Sequence, residues 1–423
     1  MWVNYFTKKG FLPKIDVNPS VKLGMCVVIP CYNEPNLKKS LGSIAGCTLP
    51  ACDVEVIAVI NHPEGADYDV LENSDKAVKD IDEANRLWGS ERFRFHAVKA
   101  FNIPRKQAGV GYARQVGMDE AAFRLLTVGT KQGIVACFDA DSQCMPNYLT
   151  ELYELWMQHP KTHACSIRFE HPLSGDEFPA EVYNGIATYE LHLRYYNQAS
   201  RFIGFPFAYH TVGSSMACSA EVYVKFGGMN RHKAGEDFYF LQKIIPHGHF
   251  RELNTTCVYP SPRPSDRVPF GTGRAMSKLV YCREPILTYH LESFLNLRPL
   301  FQNIATLYTY SSNQIERFIK LLAPPLSDFL FQVDATKAIV NVKANASSFK
   351  TFKKRFFLWF DAFMLLKYMN FAAEKYYGKQ PVDEQSKSLL ACMGYKPYET
   401  LNTKELLLRY REMENNLEWS AKF

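Results

Sequence analysis

The chain has 423 residues, 47% of them hydrophobic and 22% charged, which is more material than one ordinary core requires. Its 49 basic and 43 acidic residues leave a formal charge of +6, too small an excess for a nucleic-acid-binding composition. No run reaches the roughly 18 uninterrupted apolar residues of a membrane-spanning helix, and the first residues lack the order of a secretory signal. The 11 cysteines include no Cys-x-x-Cys pair. Together these features predict a cytoplasmic protein.

The first third of the chain alternates between strand and helix patterns. Apolar or β-branched runs predict strands over residues 25–30, 54–60, 93–98 and 133–142. Helical periodicity between them predicts helices over residues 35–44, 69–88 and 107–126. Alternation at this spacing predicts right-handed βαβ units and a mostly parallel sheet.

The fourth predicted strand ends in two carboxylates, Asp139 and Asp141. Its apolar run begins at Gly133, which favours an inner strand of the sheet. Side chains alternate along a strand, so both carboxylates are expected to point the same way from the end where open α/β sheets bind ligands. Because adjacent carboxylates repel, a divalent cation that also binds substrate phosphates would relieve the conflict. A solvated turn is the alternative.

The middle of the chain continues the alternation and then changes character. Patterns predict helices over residues 146–159, 178–201, 220–226 and 238–245, and strands over residues 163–169 and 215–219. Residues 259–274 contain prolines, glycines and arginines in a mixture that predicts a functional loop. From about residue 285 helical periods dominate and strand patterns vanish, so we expect a mainly helical C-terminal region.

Four motifs stand in the order and spacing found in family 2 glycosyltransferases of the GT-A fold. They are Val28–Glu34, Gly109–Gln115, Asp139–Asp141, and Gly235–Asp237 after Gly227 and Gly228. Each motif is short, but together they make the chain resemble that family over roughly residues 24–260. The resemblance implies a GT-A nucleotide-diphospho-sugar transferase fold, an α/β class with a Rossmann-like, mostly parallel sheet. We expect an N-terminal extension (1–23), a catalytic domain (24–284) and a helical C-terminal region (285–423).

The resemblance also implies an activity, the transfer of a sugar from a UDP- or GDP-sugar donor to a hydroxyl of a carbohydrate or lipid-linked acceptor. Asp141, together with Asp139, would bind Mg2+ or Mn2+, which would neutralise the leaving diphosphate. Asp237 matches the base of an inverting transfer, and Glu236 would orient the acceptor or Asp237. The alternative for Glu236 and Asp237 is simply a favourable place in the first turn of a helix.

Other residues match or flank the family's donor site. The loop with Pro30, Tyr32 and Glu34 is expected at the nucleotide, where an acid can bind a ribose hydroxyl or base edge. Asn61 stands where many relatives carry an acid, which leaves the base preference open. Arg114 matches the basic position that faces the diphosphate. The alternatives are an ordinary helix start for Glu34 and an exposed helical arginine for Arg114.

The loop over residues 259–274 adds three arginines to the expected donor site: Arg263, Arg267 and Arg274. Arginine is suited to bidentate recognition of phosphate, so they would bind the diphosphate or an anionic acceptor. The alternative is a structural crossover into the helical region. Residues 350–369 place a basic cluster beside aromatics, which is typical either of a peripheral contact with the inner face of a membrane or of a buried helix.

Three other functions are open at this point. A retaining transferase would share the same core motifs. A sugar-nucleotide pyrophosphorylase would share the strand–helix alternation, but it would want a Gly-rich phosphate loop after the first strand, and residues 31–35 are not one. A non-catalytic nucleotide-sugar binder would have no turnover to lose when Asp237 is replaced.

Overall fold

The computed structural model describes residues 2–267, 269, 271–396 and 399–416. Its strands are β1 (Leu23–Cys31), β2 (Asp53–Pro63), β3 (Phe93–Ile103), β4 (Ile134–Cys137), β5 (Gln143–Cys144), β6 (Ala164–Phe169), β7 (Met216–Ser219), β8 (Phe250–Tyr259), β9 (Leu287–Tyr289) and β10 (Lys379–Pro381).

The helices of the first half are α1 (Trp2–Lys9), α2 (Leu37–Ala45), α3 (Tyr68–Trp88), α4 (Val110–Thr127), α5 (Tyr148–Gln158), α6 (Ala180–Phe202), α7 (Ala220–Lys225), α8 (Glu236–Leu241) and α9 (Thr272–Cys282). Those of the second half are α10 (Leu291–Leu295), α11 (Arg298–Gln302), α12 (Ile304–Thr309), α13 (Ser312–Lys320), α14 (Pro324–Gln332), α15 (Ala335–Ala344), α16 (Phe349–Trp359), α17 (Ala362–Ala372), α18 (Val382–Cys392) and α19 (Thr403–Asn415).

The chain divides into two compact units. The first comprises the residues up to Tyr183 together with Thr211–Lys278, and the second comprises Asn184–His210 and the residues from Leu279 on. The second unit therefore takes in a stretch from the middle of the sequence. No described helix has both the length and the apolar character needed to cross a membrane.

The first unit is built on an eight-stranded sheet with the order β3-β2-β1-β4-β7-β6-β8-β5. Strands β1, β2, β3 and β4 pair in parallel, as the alternation predicted, and β6 also runs parallel to β8. Strand β7 is antiparallel to both of its neighbours, and β5 is antiparallel to β8. The sheet is thus mostly parallel, and the predicted fold class is confirmed.

Burial explains why the central strands are recognisable from sequence. β4 is buried throughout and β1 and β2 almost throughout, so both faces of these strands carry apolar side chains. Helix α4 crosses them closely through Gly117. A Cβ at Gly117 would come within 2.4 Å of Val28 and 2.9 Å of Val59, so only glycine fits there. This close contact fixes α4 above the strands that carry the candidate site.

Several predicted boundaries need correction. The helix expected to open at Pro35 begins at Leu37, and the fourth strand stops at Cys137 instead of extending through Asp141. Strand β8 lies in a stretch for which no strand was predicted. The prediction that strands are absent beyond residue 285 is wrong, because β9 and β10 pair antiparallel there.

The second unit has the predicted helical character. Helix α16 turns its aromatic rings inward: Phe352, Phe356 and Phe357 are buried. The Phe357 ring packs against Phe301 with centroids 5.3 Å apart. These contacts support a packed helix for most of the aromatics in residues 350–369, while Lys354 and Arg355 stay exposed.

Candidate active site

The candidate site forms where β1, β2 and β4 end at the same edge of the sheet. Strands β1 and β4 are in register from Met25 opposite Ile134 to Val28 opposite Cys137. The chain then leaves β4 as a turn, in which the amide of Ser142 donates to the carbonyl of Asp139 at 3.0 Å. Asp139 and Asp141 are therefore held by a turn, not by strand alternation, and they contact different partners.

The first group of contacts centres on Arg114, near the start of α4. Its Nη2 atom donates to Oδ1 of Asp139 at 2.7 Å, and its Nη1 atom donates to Oε1 of Glu236. Only 2% of the Arg114 side chain is exposed, so the alternative of an exposed helical arginine is excluded. We call Arg114, Asp139, Glu236 and Asp237 the buried cluster, after the buried pair of Arg114 and Glu236, although the side chain of Asp139 is 38% exposed.

Gly213 makes room for the Arg114 guanidinium. A Cβ atom at Gly213 would lie 2.6 Å from Nη1 and 2.8 Å from Nη2 of Arg114, which no real contact allows. Gly213 was not predicted as a site residue, because nothing in the loop pattern around it distinguishes it from other glycines. Its importance follows only from the tertiary contact.

Burial raises the pKa of two acids in the buried cluster, Glu236 and Asp237. Burial raises the pKa of Glu236 to about 7, with Arg114 opposing the shift and Asp237 adding to it. Burial likewise raises the pKa of Asp237, although Arg114 and the amide of Phe238 oppose it. The pKa of Arg114 is raised because Glu236 and Asp139 outweigh the opposing effect of burial. Glu236 therefore titrates near neutral pH.

The second group of contacts joins Glu34 and Asp141 through two arginines, and we call these four residues the loop cluster. Arg263 donates from Nη1 to Oε1 of Glu34 at 3.2 Å, from Nη2 to Oε2 of Glu34, and from Nη2 to Oδ2 of Asp141 at 3.1 Å. Arg267 contacts Glu34 at 3.4 Å and Asp141 at 3.5 Å. Glu34 is 1% exposed, whereas Arg263 and Arg267 are 23% and 29% exposed.

Burial and neighbouring charges also shift the pKa values of residues in the loop cluster. Burial and the neighbouring Asp139 raise the pKa of Asp141, while Arg267 and Arg263 oppose that shift. The pKa of Arg263 is raised because its carboxylate partners outweigh burial. Since Asp139 acts on Asp141 and on Glu236, the two clusters form one continuous set of charges.

The remaining predicted donor-site residues fall into three positions. Pro30 lies within β1, and the carbonyl of Tyr32 accepts a hydrogen bond from Arg267 at 2.8 Å. Asn61 lies near the end of β2, and its Oδ1 atom is buried without a hydrogen-bond partner among the described residues. Arg274 donates to Asp266 at the surface. The structure thus brings Arg263 and Arg267 to the carboxylates, but it pairs Arg274 elsewhere.

Asp139 and Asp141 are the candidate ligands for a divalent cation. Among residues 2–267, 269, 271–396 and 399–416, no group of three or more His, Cys, Asp or Glu side chains is arranged to hold a metal ion. Asp139 and Asp141 supply two carboxylates, a set that suits Mg2+ or Mn2+ when phosphate oxygens and water complete the shell. The residues therefore fit such an ion only together with a diphosphate, and only if Asp141 exchanges its arginine contacts.

Comparisons with known proteins were made for the sequence and for the fold. The family model described as Glycosyl transferase family 2 matches residues 26–217. No curated protein sequence matches this chain.

Solved structures give distant matches. S. aureus TarS 1-349 in complex with UDP-GlcNAc is 15% identical, with a TM-score of 0.42, and the match covers 74% of this chain and 87% of that one. The mannosyltransferase PcManGT from Pyrobaculum calidifontis, in complex with GDP-Man and Mn2+, is 18% identical, with a TM-score of 0.31 and coverage of 98% and 94%. Such low values do not transfer those ligands to this chain.

Proposed function

We propose that this glycosyltransferase, whose family 2 domain spans residues 26–217, moves a sugar from a UDP- or GDP-sugar to an acceptor hydroxyl in a metal-dependent, inverting reaction. One observation carries the proposal: two sets of carboxylates and arginines meet at the carboxyl end of the sheet and are linked through Asp139. In such a site a metal ion can bind the carboxylates while the diphosphate binds the arginines. The acceptor is a carbohydrate or a lipid-linked sugar.

The loop cluster is suited to bind the donor diphosphate. Arg263 and Arg267 are partly exposed and neutralise Glu34 and Asp141, and Arg presents a fork of donors that matches phosphate oxygens. When donor and cation bind, we expect both arginines to shift from Asp141 to the diphosphate. The released carboxylate of Asp141 would then help to hold the cation.

Mg2+ or Mn2+ would supply Lewis-acid stabilisation of the leaving diphosphate when bound to Asp141 and Asp139. The protein's own contribution is to hold Asp139 in place through the buried Arg114, so that one carboxylate is fixed before the donor arrives. Preorganised charge of this kind lowers the cost of rearrangement during the reaction.

Asp237 is the proposed general base. Its Oδ1 atom accepts a hydrogen bond from the amide of Phe238 at 2.7 Å, and the backbone of Gly213 also donates to the carboxylate. These bonds orient the carboxylate that would take the proton of the acceptor hydroxyl. A base works best when its pKa lies near the working pH, and burial raises the pKa of Asp237 in that direction. Glu236 acts as a positioning residue, because it holds Arg114 beside Asp139.

The nucleobase is expected near Asn61. A buried acceptor without a partner costs about 1–3 kcal/mol, and an N–H group of the base would remove that cost. Both uracil and guanine offer an N–H beside a carbonyl, which is why the proposal includes UDP- and GDP-sugars. Asn61 would therefore contribute to specificity for the nucleobase and not for the sugar.

The location of the reaction is also part of the proposal. All 11 cysteines are free thiols, which supports a reducing, cytoplasmic compartment. A peripheral membrane contact would use the exposed Lys354 and Arg355, because the neighbouring Phe352 and Phe356 are buried in the second unit. Binding to vesicles with and without anionic lipid would test that contact.

The first experiment is a thermal-shift panel of nucleoside diphosphates and nucleotide-sugars with Mn2+. A ligand at about 100 times its dissociation constant adds about 2.7 kcal/mol of stability. We expect UDP- or GDP-sugars to raise the melting temperature of the wild type and not of the Asp141→Ala variant. Equal stabilisation of both proteins, with or without chelator, would contradict the metal-dependent proposal.

The second experiment separates an enzyme from a binder. Asp237→Asn should lower turnover by roughly 10²- to 10⁴-fold while the affinity for the donor nucleotide stays near that of the wild type. Unchanged turnover would remove Asp237 from the role of base. The anomeric proton of the product, followed by NMR, distinguishes inversion from retention. Release of pyrophosphate from a nucleoside triphosphate and a sugar 1-phosphate would instead favour a pyrophosphorylase.

A further inference from the structure

Two cysteines lie side by side next to the carboxylate turn. Cys47 follows α2, and Cys144 lies in β5, three residues after Asp141. Their Sγ atoms are 3.6 Å apart. Neither thiol belongs to the buried cluster or the loop cluster, and the proposed transfer reaction uses neither.

Backbone and side-chain hydrogen bonds hold both cysteines in place. The hydroxyl of Ser43 accepts from the amide of Cys144 at 2.9 Å, and the amide of Thr48 donates to the carbonyl of Pro146 at 2.9 Å. The segments on either side of the two thiols are therefore fastened to each other. This pairing keeps the two cysteine-bearing segments side by side.

The surroundings of Cys47 favour a thiolate. Cys47 and Cys144 share a hydrogen bond in which either thiol can donate, and the S–H of Cys47 can also donate to the carbonyls of Ser43 and Met145. The pKa of Cys47 is lowered chiefly by its hydrogen bond with Cys144 and then, against the effect of burial, by the backbone amides of Leu149 and Tyr148 at the start of α5. The pKa of Cys144 is raised, first by that shared hydrogen bond and then by burial. Cys47 is 7% exposed, and Cys144 is partly exposed, so the pair meets solvent chiefly through Cys144.

We propose that Cys47 and Cys144 form a redox-active dithiol, which closes to a disulfide when the protein meets a peroxide. The Cys47 thiolate attacks one peroxide oxygen, so an S–O bond forms, the O–O bond breaks, and the leaving hydroxide takes a proton to become water. The Cys144 sulfur then attacks the Cys47 sulfenic acid. An S–S bond forms, the S–O bond breaks, and the second water leaves with the proton of Cys144.

The disulfide would join two segments of the candidate active site. Helix α2 begins just after the loop that carries Glu34, and Cys144 follows the turn that carries Asp139 and Asp141. Ser40 already donates to the carbonyl of Ala140 at 2.7 Å, so the new bond would reinforce an existing contact. The oxidised form is expected to melt at a higher temperature, because the bond closes a long loop of the unfolded chain.

Peptide mass spectrometry after treatment of the reduced, full-length protein with hydrogen peroxide tests this proposal. The exposed Cys282 and Cys392 are first changed to serine so that bonds between molecules do not interfere. Trypsin leaves Cys47 in residues 40–76 and Cys144 in residues 132–161, together with Cys52 and Cys137 respectively. We expect these two peptides to become linked, with the loss of two hydrogen atoms, and to separate again with a thiol reductant.

Three variants assign the bond. Cys47→Ser and Cys144→Ser should each abolish the linked pair, whereas Cys52→Ser, which removes the other thiol of the first peptide, should keep it. The shift in melting temperature should follow the same pattern. The proposal is overturned if the link survives in Cys47→Ser or Cys144→Ser. It is also overturned if the two peptides stay separate under peroxide that oxidises Cys282 and Cys392 in the wild type.

Discussion

The buried cluster and the loop cluster both pair arginine with carboxylate, and their arginines differ in how far they are exposed to water. Arg114 is 2% exposed, whereas Arg263 and Arg267 are 23% and 29% exposed and belong to a loop. Removing one partner of a buried pair leaves an uncompensated charge, which costs far more than the loss of a solvated pair. We therefore call the buried cluster the fixed half of the site, because it sets the geometry. We call the loop cluster the exchangeable half, because it is expected to contact the donor.

The largest expected effect is on the fixed half. Arg114→Met should lower the free energy of unfolding by about 2–4 kcal/mol, because Glu236 and Asp139 lose their hydrogen bonds and Glu236 must take up a proton or stay buried as an unpaired charge. Urea denaturation at neutral pH measures this loss. The variant should also lose donor binding, since Asp139 is no longer held.

Arg124 offers a matched control for this substitution. It forms a buried pair with Glu55, with contacts of 2.6 and 2.7 Å, away from both clusters. Arg124→Met should lose a similar amount of stability and keep donor affinity at temperatures where it is folded. If Arg114→Met loses no more donor affinity than Arg124→Met, the buried cluster is structural only.

The exchangeable half should respond differently. Arg263→Met should cost only about 1–2 kcal/mol of stability, since Arg267 still contacts Glu34 and water screens the site. Its affinity for the nucleoside diphosphate that stabilises the wild type should fall by roughly 10- to 100-fold. Titration calorimetry measures this change.

The matching nucleoside without phosphates is the control for Arg263. Its affinity should stay the same in Arg263→Met and in the wild type, because the arginine is expected to contact phosphate oxygens. An equal loss for nucleoside and nucleoside diphosphate would mean that the loop supports the whole pocket instead of binding the diphosphate.

The next expected effect is a pH dependence of the buried cluster. Glu236 has a folded-state pKa of about 7, above its ordinary value of 4.5, so the folded protein holds this proton more tightly than the unfolded chain. Its stabilising contribution is complete below about pH 4.5 and is lost as the pH rises towards 7. The stability of the wild type relative to Glu236→Gln should therefore fall across that window, by about 1–3 kcal/mol.

Urea denaturation of the wild type and Glu236→Gln at several pH values reports on Glu236 and its coupling to Asp237, because the more distant titrating groups are common to both proteins. The difference should be flat below the window and flat again above it. A difference that grows with rising pH would mean that Arg114 lowers the pKa of Glu236 below its ordinary value.

The sequence predicted the strands and the shared edge because these depend on local patterns. Buried parallel strands appear as continuous apolar runs, and their carboxyl ends converge, so Glu34 and Asp141 could be expected near each other. Strand β8 escaped prediction because its burial does not alternate and polar residues interrupt it. The antiparallel pairing of β7 depends on distant partners, which no local pattern records.

The sequence also could not predict which charged side chains pair with each other. That Arg114 faces the diphosphate stays a prediction, but the sequence did not show that its guanidinium pairs with Asp139 and Glu236 or that it leaves no room for a Cβ atom at Gly213. Helix α4 is buried on most of its surface, so its own periodicity gave little sign of which face met the site. Contacts of this kind are set by packing between elements far apart in the chain.

The smallest expected effect concerns Arg274, which the sequence grouped with Arg263 and Arg267. Its partner is Asp266, and the two side chains are 40% and 61% exposed, so the pair should contribute no more than about 0.5–1 kcal/mol. Arg274→Met should keep both the stability and the nucleoside diphosphate affinity of the wild type, in the same assays used for Arg263→Met. A loss of affinity comparable to that of Arg263→Met would mean that Arg274 leaves Asp266 for the donor, and that the exchangeable half of the site includes all three arginines of the loop.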